Sequence, residues 1–130
     1  MLSNKTALIV EREMLIVLDI ERMLSDMRIG RILTVRGAEQ AHALDPVALD
    51  PATLDLAVID VSSAADEAAF DLVGRLAVQG IPVVVTSPDA RLARGIPDHP
   101  AISVVLKPFS EDEFVIAVTG ALEGSNPTDQ

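Results

Sequence analysis

The sequence has no cysteine, no tryptophan and no tyrosine, and its only aromatic side chains are Phe70, Phe109 and Phe114. The lack of cysteine excludes disulfides and thiolate metal sites. With so few rings, the core must be aliphatic, drawn from the Leu, Val, Ile, Ala and Met that dominate a 49% hydrophobic composition. Basic residues are also scarce: 10 Lys and Arg stand against 20 Asp and Glu, a formal net charge of −10. Such a chain repels phosphate backbones, which argues against a nucleic-acid partner. No apolar run approaches the ~18 residues needed to cross a bilayer, so no membrane partner is expected. The N-terminus, MLSNKTALIVERE, meets charge directly after its apolar run and carries no cleavage pattern, which makes the cytoplasm the expected location. At 130 residues the chain is the size of one domain.

What is present is a series of short apolar runs rich in β-branched residues. ALIV (7–10), LAVIDV (56–61), IPVVV (81–85) and ISVVL (102–106) read as strands buried on both faces, and RILTV (31–35) as a weaker fifth. Helical spacing alternates with them. Ile16, Ile20, Met23, Leu24 and Met27 mark a helix over 13–27, and AEQAHAL (38–44) a short one before Pro46 and Pro51. Phe70, Leu72, Val73 and Leu76 mark a helix over 64–78, with Gly80 as its stop. Ser110 and Glu113 form a capping box that opens a last helix running through Leu122. Residues 89–95 are the weak link, crowded by Pro88 and Pro97. This βα alternation predicts an α/β fold, a doubly wound, five-stranded parallel sheet in one domain over 1–123, with a polar, disordered tail over 124–130.

Ligands of such sheets sit beyond the carboxyl ends of the strands. There the sequence places Glu11 and Arg12 after the first strand and Asp60 at the end of the third. Thr86 and Ser87 follow the fourth, and Lys107 with Pro108 the fifth. Taken singly, Asp60 reads as a helix cap, Ser87 as turn chemistry before Pro88, and Lys107 as a solvated strand end. Taken together at one sheet edge, carboxylates, a hydroxyl and a lysine suit a hard cation and a phosphoryl group. A flavin-type cofactor site would need a Ser/Thr/Gly-rich first loop, where Glu11 and Glu13 instead repel phosphate. A hydrolase built on Glu11 and Asp60 would have no identifiable substrate.

From about residue 4 to 123, the order and separation of LIVERE, LAVIDV, IPVVVTS and VVLKPF resemble the receiver domains of two-component response regulators. The resemblance implies a flavodoxin-like (βα)5 fold and a phosphoacceptor, Asp60, supplied by a histidine kinase or phosphotransfer protein. It implies that Ser87 contacts the phosphoryl group and that Lys107 pairs with it. The metal site would be Glu11, Asp60 and the backbone carbonyl of Ser62. The peptide before Pro108 is expected to be cis.

The sequence also departs from the family's pattern. Where a second acid normally follows the first, LIVERE has Arg12, which removes a ligand and adds a repelling charge, so magnesium binding is expected to be weak or lost. Arg12 could face solvent beside Glu13, or stand over Asp60 in place of the metal. Glu13 is a poor substitute ligand, because one helical position turns a side chain by ~100°. Pro88 lacks the N–H expected to help bind phosphoryl oxygen. Val104 replaces an aromatic switch residue, and SSAADE (62–67) lacks the usual proline and glycine. The expectation is a stand-alone receiver in a phosphorelay, with no output domain after residue 123. It would act through the face from the fourth strand to the fifth, last helix, which is also the expected surface for a homodimer. The alternative is a pseudo-receiver that binds partners without phosphorylation.

Overall fold

The computed structural model describes residues 2–124, so the expected tail beyond Gly124 lies outside the described residues. Five strands form one parallel sheet: β1 (Thr6–Val10), β2 (Arg31–Val35), β3 (Leu56–Asp60), β4 (Val83–Ser87) and β5 (Ser103–Leu106). Their order is β2-β1-β3-β4-β5, which puts the switch point of the winding between β1 and β3. Four α-helices cover the sheet: α1 (Met14–Asp26), α2 (Ala38–His42), α3 (Glu67–Val78) and α4 (Glu111–Gly124).

The strands are apolar on both sides, and alternate residues feed two separate cores. Leu8, Val10, Ala57, Ile59, Val83 and Val85 pack with Ala41 of α2 and with Leu72, Val73 and Leu76 of α3. Ala7, Ile9, Leu56, Val58, Val84 and Val105 pack on the other face with Ile20, Met23 and Leu24 of α1 and Phe114 and Val118 of α4. The core is aliphatic, as composition requires, apart from Phe114, which is fully buried against the half-buried Phe109. The capping box at α4 forms in both directions: Ser110 N–H donates to Glu113 Oε1 at 2.8 Å, and Glu113 N–H to Ser110 Oγ at 3.1 Å.

Most boundaries shift by one or two residues from the expectation, and three of the differences shape the carboxyl edge and its loops. The fourth strand is Val83–Ser87, not 81–85, so Thr86 and Ser87 lie within it. Pro82 has no N–H to give the ladder and stands just ahead of the strand, its carbonyl accepting from Ala57 N–H at 2.9 Å. The third helix starts at Glu67 rather than 64, because Asp66 is its cap and accepts from Ala69 N–H. The helix expected over 89–95 is a five-residue 3-10 turn, Ala90–Arg94, capped by Asp89 and ended by Gly95 at φ 110°. Pro88 and Pro97 leave no room for a longer helix.

Candidate functional site

The carboxyl edge is built from residues at or just past the strand ends, held there by the neighbouring backbone. Glu11 N–H donates to Val35 carbonyl at 3.0 Å, Val61 N–H to Thr86 carbonyl at 2.8 Å, and Lys107 N–H to Ser87 carbonyl at 2.7 Å. Period-two alternation then decides which side chains meet. Glu11 keeps the phase of Ala7 and Ile9, Asp60 that of Val58, Thr86 that of Val84 and Lys107 that of Val105. All four therefore lie on the sheet face that α1 and α4 cover.

Lys107 is the centre of this cluster. Its Nζ donates to Glu11 Oε1 at 2.8 Å, lies 2.9 Å from Asp60 Oδ1, and reaches Glu13 Oε1 at 3.9 Å. Glu11 is sealed from solvent, with its side chain 1% exposed, while those of Asp60 and Lys107 are 16% and 11% exposed. Glu11 Oε2 also accepts the Glu13 N–H at 3.1 Å. The Lys107–Pro108 peptide is cis.

The hydroxyl on Asp60 belongs to Thr86, not Ser87. Thr86 Oγ1 donates to Asp60 Oδ1 at 3.3 Å, and the two residues are paired in the ladder. Ser87 is buried with the phase of Val83 and Val85, on the opposite face, where its Oγ accepts the Asp89 N–H at 3.1 Å. The residue after the hydroxyl that bonds Asp60 is thus Ser87, which keeps its N–H, and Pro88 comes one position later. Asp89, which sequence reasoning passed over, joins two loops: its Oδ2 accepts Ala64 N–H at 2.7 Å and Arg91 Nη2 at 2.8 Å.

Burial is the largest influence on Asp60 and lifts its carboxyl above the usual range. Glu11's charge acts in the same direction, and Lys107 and Thr86 act against both. Burial opposes the charge on Lys107, but its bonds to Glu11 and Asp60 prevail and hold its ammonium above the usual lysine range. An acid raised in the folded state carries no folding penalty below the unfolded value of about 4, and a growing one as pH rises through its folded value. Asp60→Asn is therefore expected to raise stability at pH 7, with the gain disappearing at pH 3. Urea midpoints of both proteins at the two pH values check this, and a less stable variant at pH 7 would contradict it.

Glu11, Asp60 and Lys107 line one open cavity of about 760 Å³, with Arg12, Arg36, Gly37, Ser62, Asp66 and Pro88 on its walls. Arg12 faces solvent, as the first expectation had it, but without the pairing to Glu13, and it does not stand over Asp60. It is exposed, and no carboxylate of the described residues lies within 4.0 Å of its guanidinium, neither Asp60 nor Glu13. Its Nη2 instead lies over Gly37, 4.0 Å from where a Cβ would be. Ser62 is held by Asp66, whose Oδ2 accepts its N–H at 3.0 Å and its hydroxyl at 2.9 Å. For Asp66, burial is the largest influence and is outweighed by the bonds from Ser62 and Ala69, with Arg12's charge last, so its carboxyl sits below the usual range.

The carboxylates expected to ligate magnesium, Glu11 and Asp60, are both engaged by the Lys107 ammonium. Glu11 and Asp60 converge closely on this single ammonium, with Glu13 at its outer edge. Arg12 adds a cation to the wall of the same cavity, and no group of three or more metal-ligating side chains is found among the described residues.

No family model matches the chain, and no curated protein matches it. Solved structures do. A response regulator receiver protein from Sinorhizobium medicae WSM419 superposes with a TM-score of 0.75 at 23% identity, over 97% of this chain and 100% of that one. The REC domain of the PhyR response regulator from Erythrobacter litoralis, solved by NMR, gives a TM-score of 0.66 at 26% identity, over 95% and 93% of the two chains. PhyR from Bartonella quintana, an anti-anti-sigma factor, matches with a TM-score of 0.72 at 24% identity, over 94% of this chain and 49% of that one. Sheet order, helix placement and these likenesses agree, and the fold of this chain is that of the response-regulator receiver domains.

Proposed function

We propose that the chain is a phosphoacceptor module in which Asp60 takes a phosphoryl group from a histidine kinase, a phosphotransfer protein or a small acyl phosphate. One observation carries this reading: Asp60 is the carboxylate that combines access to the cavity with an ammonium and a hydroxyl on the same oxygen. Glu11, its neighbour, is sealed. In the transfer, a carboxylate oxygen of Asp60 attacks phosphorus and the bond to the leaving group breaks. With acetyl phosphate the leaving acetate departs with the electron pair, so no proton need be supplied. Lys107 and Thr86 are placed to offset the negative charge on the phosphoryl oxygens.

The state of Asp60 would be read by partners. Met14, Leu15 and Leu18 are 65%, 82% and 53% exposed and form an apolar ridge on the first turns of α1, beside the cavity. That ridge is the proposed seat for a protein phosphodonor. The face from β4 to α4, with Ile116 as the exposed large apolar residue of α4, is left to a downstream partner or a second copy. No helix among the described residues is long and apolar enough to cross a membrane, and a cytoplasmic site of action is part of this proposal.

Intact mass after incubation with acetyl phosphate tests the reading. The wild type should gain one phosphoryl group, and Asp60→Asn none. Absence of the adduct with or without magnesium would overturn it in favour of a second reading, a phosphorylation-independent interaction module. Arg12 is the observation that favours that alternative, because it opposes a metal ion at the acceptor.

A further inference from the structure

Two guanidinium groups remain on the cavity mouth without ion pairs. Arg12 follows Glu11 at the end of β1, and Arg36 follows Val35 at the end of β2, the neighbouring strand. Both are exposed, both line the cavity that holds Asp60, and no carboxylate of the described residues lies within 4.0 Å of either. Gly37 adjoins Arg36, and Arg12 Nη2 lies over it, so both arginines border the same loop. Two like charges on one cavity wall, neither paired with a carboxylate of the described residues, favour an anion there.

The carboxylates nearby do not cancel this pair. Glu11 and Asp60 are held by Lys107, Asp66 is committed to Ser62 and to capping α3, and Glu13 approaches Lys107. Glu39 is the remaining acid on the wall. Lys107, the one ammonium at the acceptor, already serves two carboxylates, so it cannot by itself neutralise an incoming phosphoryl dianion.

We propose that Arg12 and Arg36 hold the phosphoryl oxygens at the mouth of the Asp60 cavity, so that phosphorylation proceeds without a divalent cation. The proposal rests on Asp60 being the phosphoacceptor. A guanidinium matches phosphoryl oxygens through paired N–H donors, and on a long exposed side chain it can swing from Gly37 to the ligand. Arg12 and Arg36 are positioning residues: the bond that forms is Asp60 oxygen to phosphorus, the bond that breaks is phosphorus to the leaving oxygen, and neither arginine gains or loses a proton.

The test is the rate of acetyl phosphate labelling, by intact mass, in EDTA and in magnesium. Wild type should label in EDTA at a rate close to that in magnesium. Arg12→Ala should slow labelling about tenfold, and Arg36→Ala severalfold, the loss expected for charge-assisted bonds. Arg12→Lys should recover part of the rate, which a merely structural role would not do. Arg12→Asp should label slowly in EDTA and be accelerated by magnesium. Wild-type labelling that requires magnesium, or an Arg12→Ala rate equal to wild type in EDTA, would overturn the inference while leaving Asp60 as acceptor. Absence of label on wild type under every condition would remove the acceptor reading, and this inference with it.

Discussion

Lys107→Met should destabilise the protein by about 3–5 kcal/mol at pH 7, the range for removing one partner of a buried ion pair. Lys107 is the cation that reaches Glu11 and Asp60, and Glu11 has no solvent to turn to. Deleting the ammonium strands two carboxylates on one sheet edge, where each also repels the other. Asp60, already raised by burial, moves further up, so the folded variant holds protons more strongly than its unfolded chain. Its stability is thus lost as pH rises through the folded value and recovered as pH falls to the usual carboxylate range. The Lys107→Met, Glu11→Gln double variant should recover part of the loss at pH 7. Urea unfolding at pH 7 and pH 4 measures all of this. A loss below about 1 kcal/mol, typical of surface pairs, would show that the cluster is solvated rather than buried.

Phe114→Ala should cost about as much, 3–5 kcal/mol, and lower Tm by about 10–20 °C. Phe114 is the one fully buried ring, set between α4 and the strands among Ile9, Val58, Val84 and Val105. Its neighbours are branched aliphatics in a packed sheet, which cannot collapse far into the space a lost ring leaves. Phe109, with its ring centroid 5.6 Å away, would also lose its stacking partner. Phe114→Leu keeps most of the volume and should cost clearly less. Thermal unfolding of the two variants decides, and equal losses would mean that ring packing matters less than the geometry suggests.

The sheet was legible because short β-branched runs bounded by charge have few other structural uses. Glu11, Asp60 and Lys107 were legible for a related reason, as charged residues that end buried strands. The choice between Thr86 and Ser87 was not. It turns on strand phase, and Pro82 moves the start of β4 two residues along from where the apolar run begins. Phase alone could have found the answer, since Glu11, Asp60, Thr86 and Lys107 all continue the residues of one core while Ser87 continues the other. The place of Arg12 was illegible for a different reason. The cation that engages the carboxylates is Lys107, 96 positions from Glu11 in the chain, and no local pattern reports that contact. The 3-10 turn between β4 and β5 was half legible, since its prolines argue against a helix without saying what replaces one.

The stacked pair Phe109–Phe114 gives the molecule an optical property that its composition isolates. With no tryptophan or tyrosine, near-ultraviolet dichroism can come only from three phenylalanines, and two of them are in contact. Phe109 is two residues from Lys107, on the loop that carries the ammonium to Asp60. Any rearrangement of that loop alters the coupling between the two rings. The phenylalanine fine structure is therefore a label-free reporter on the acceptor site, undiluted by indole or phenol bands elsewhere in the chain.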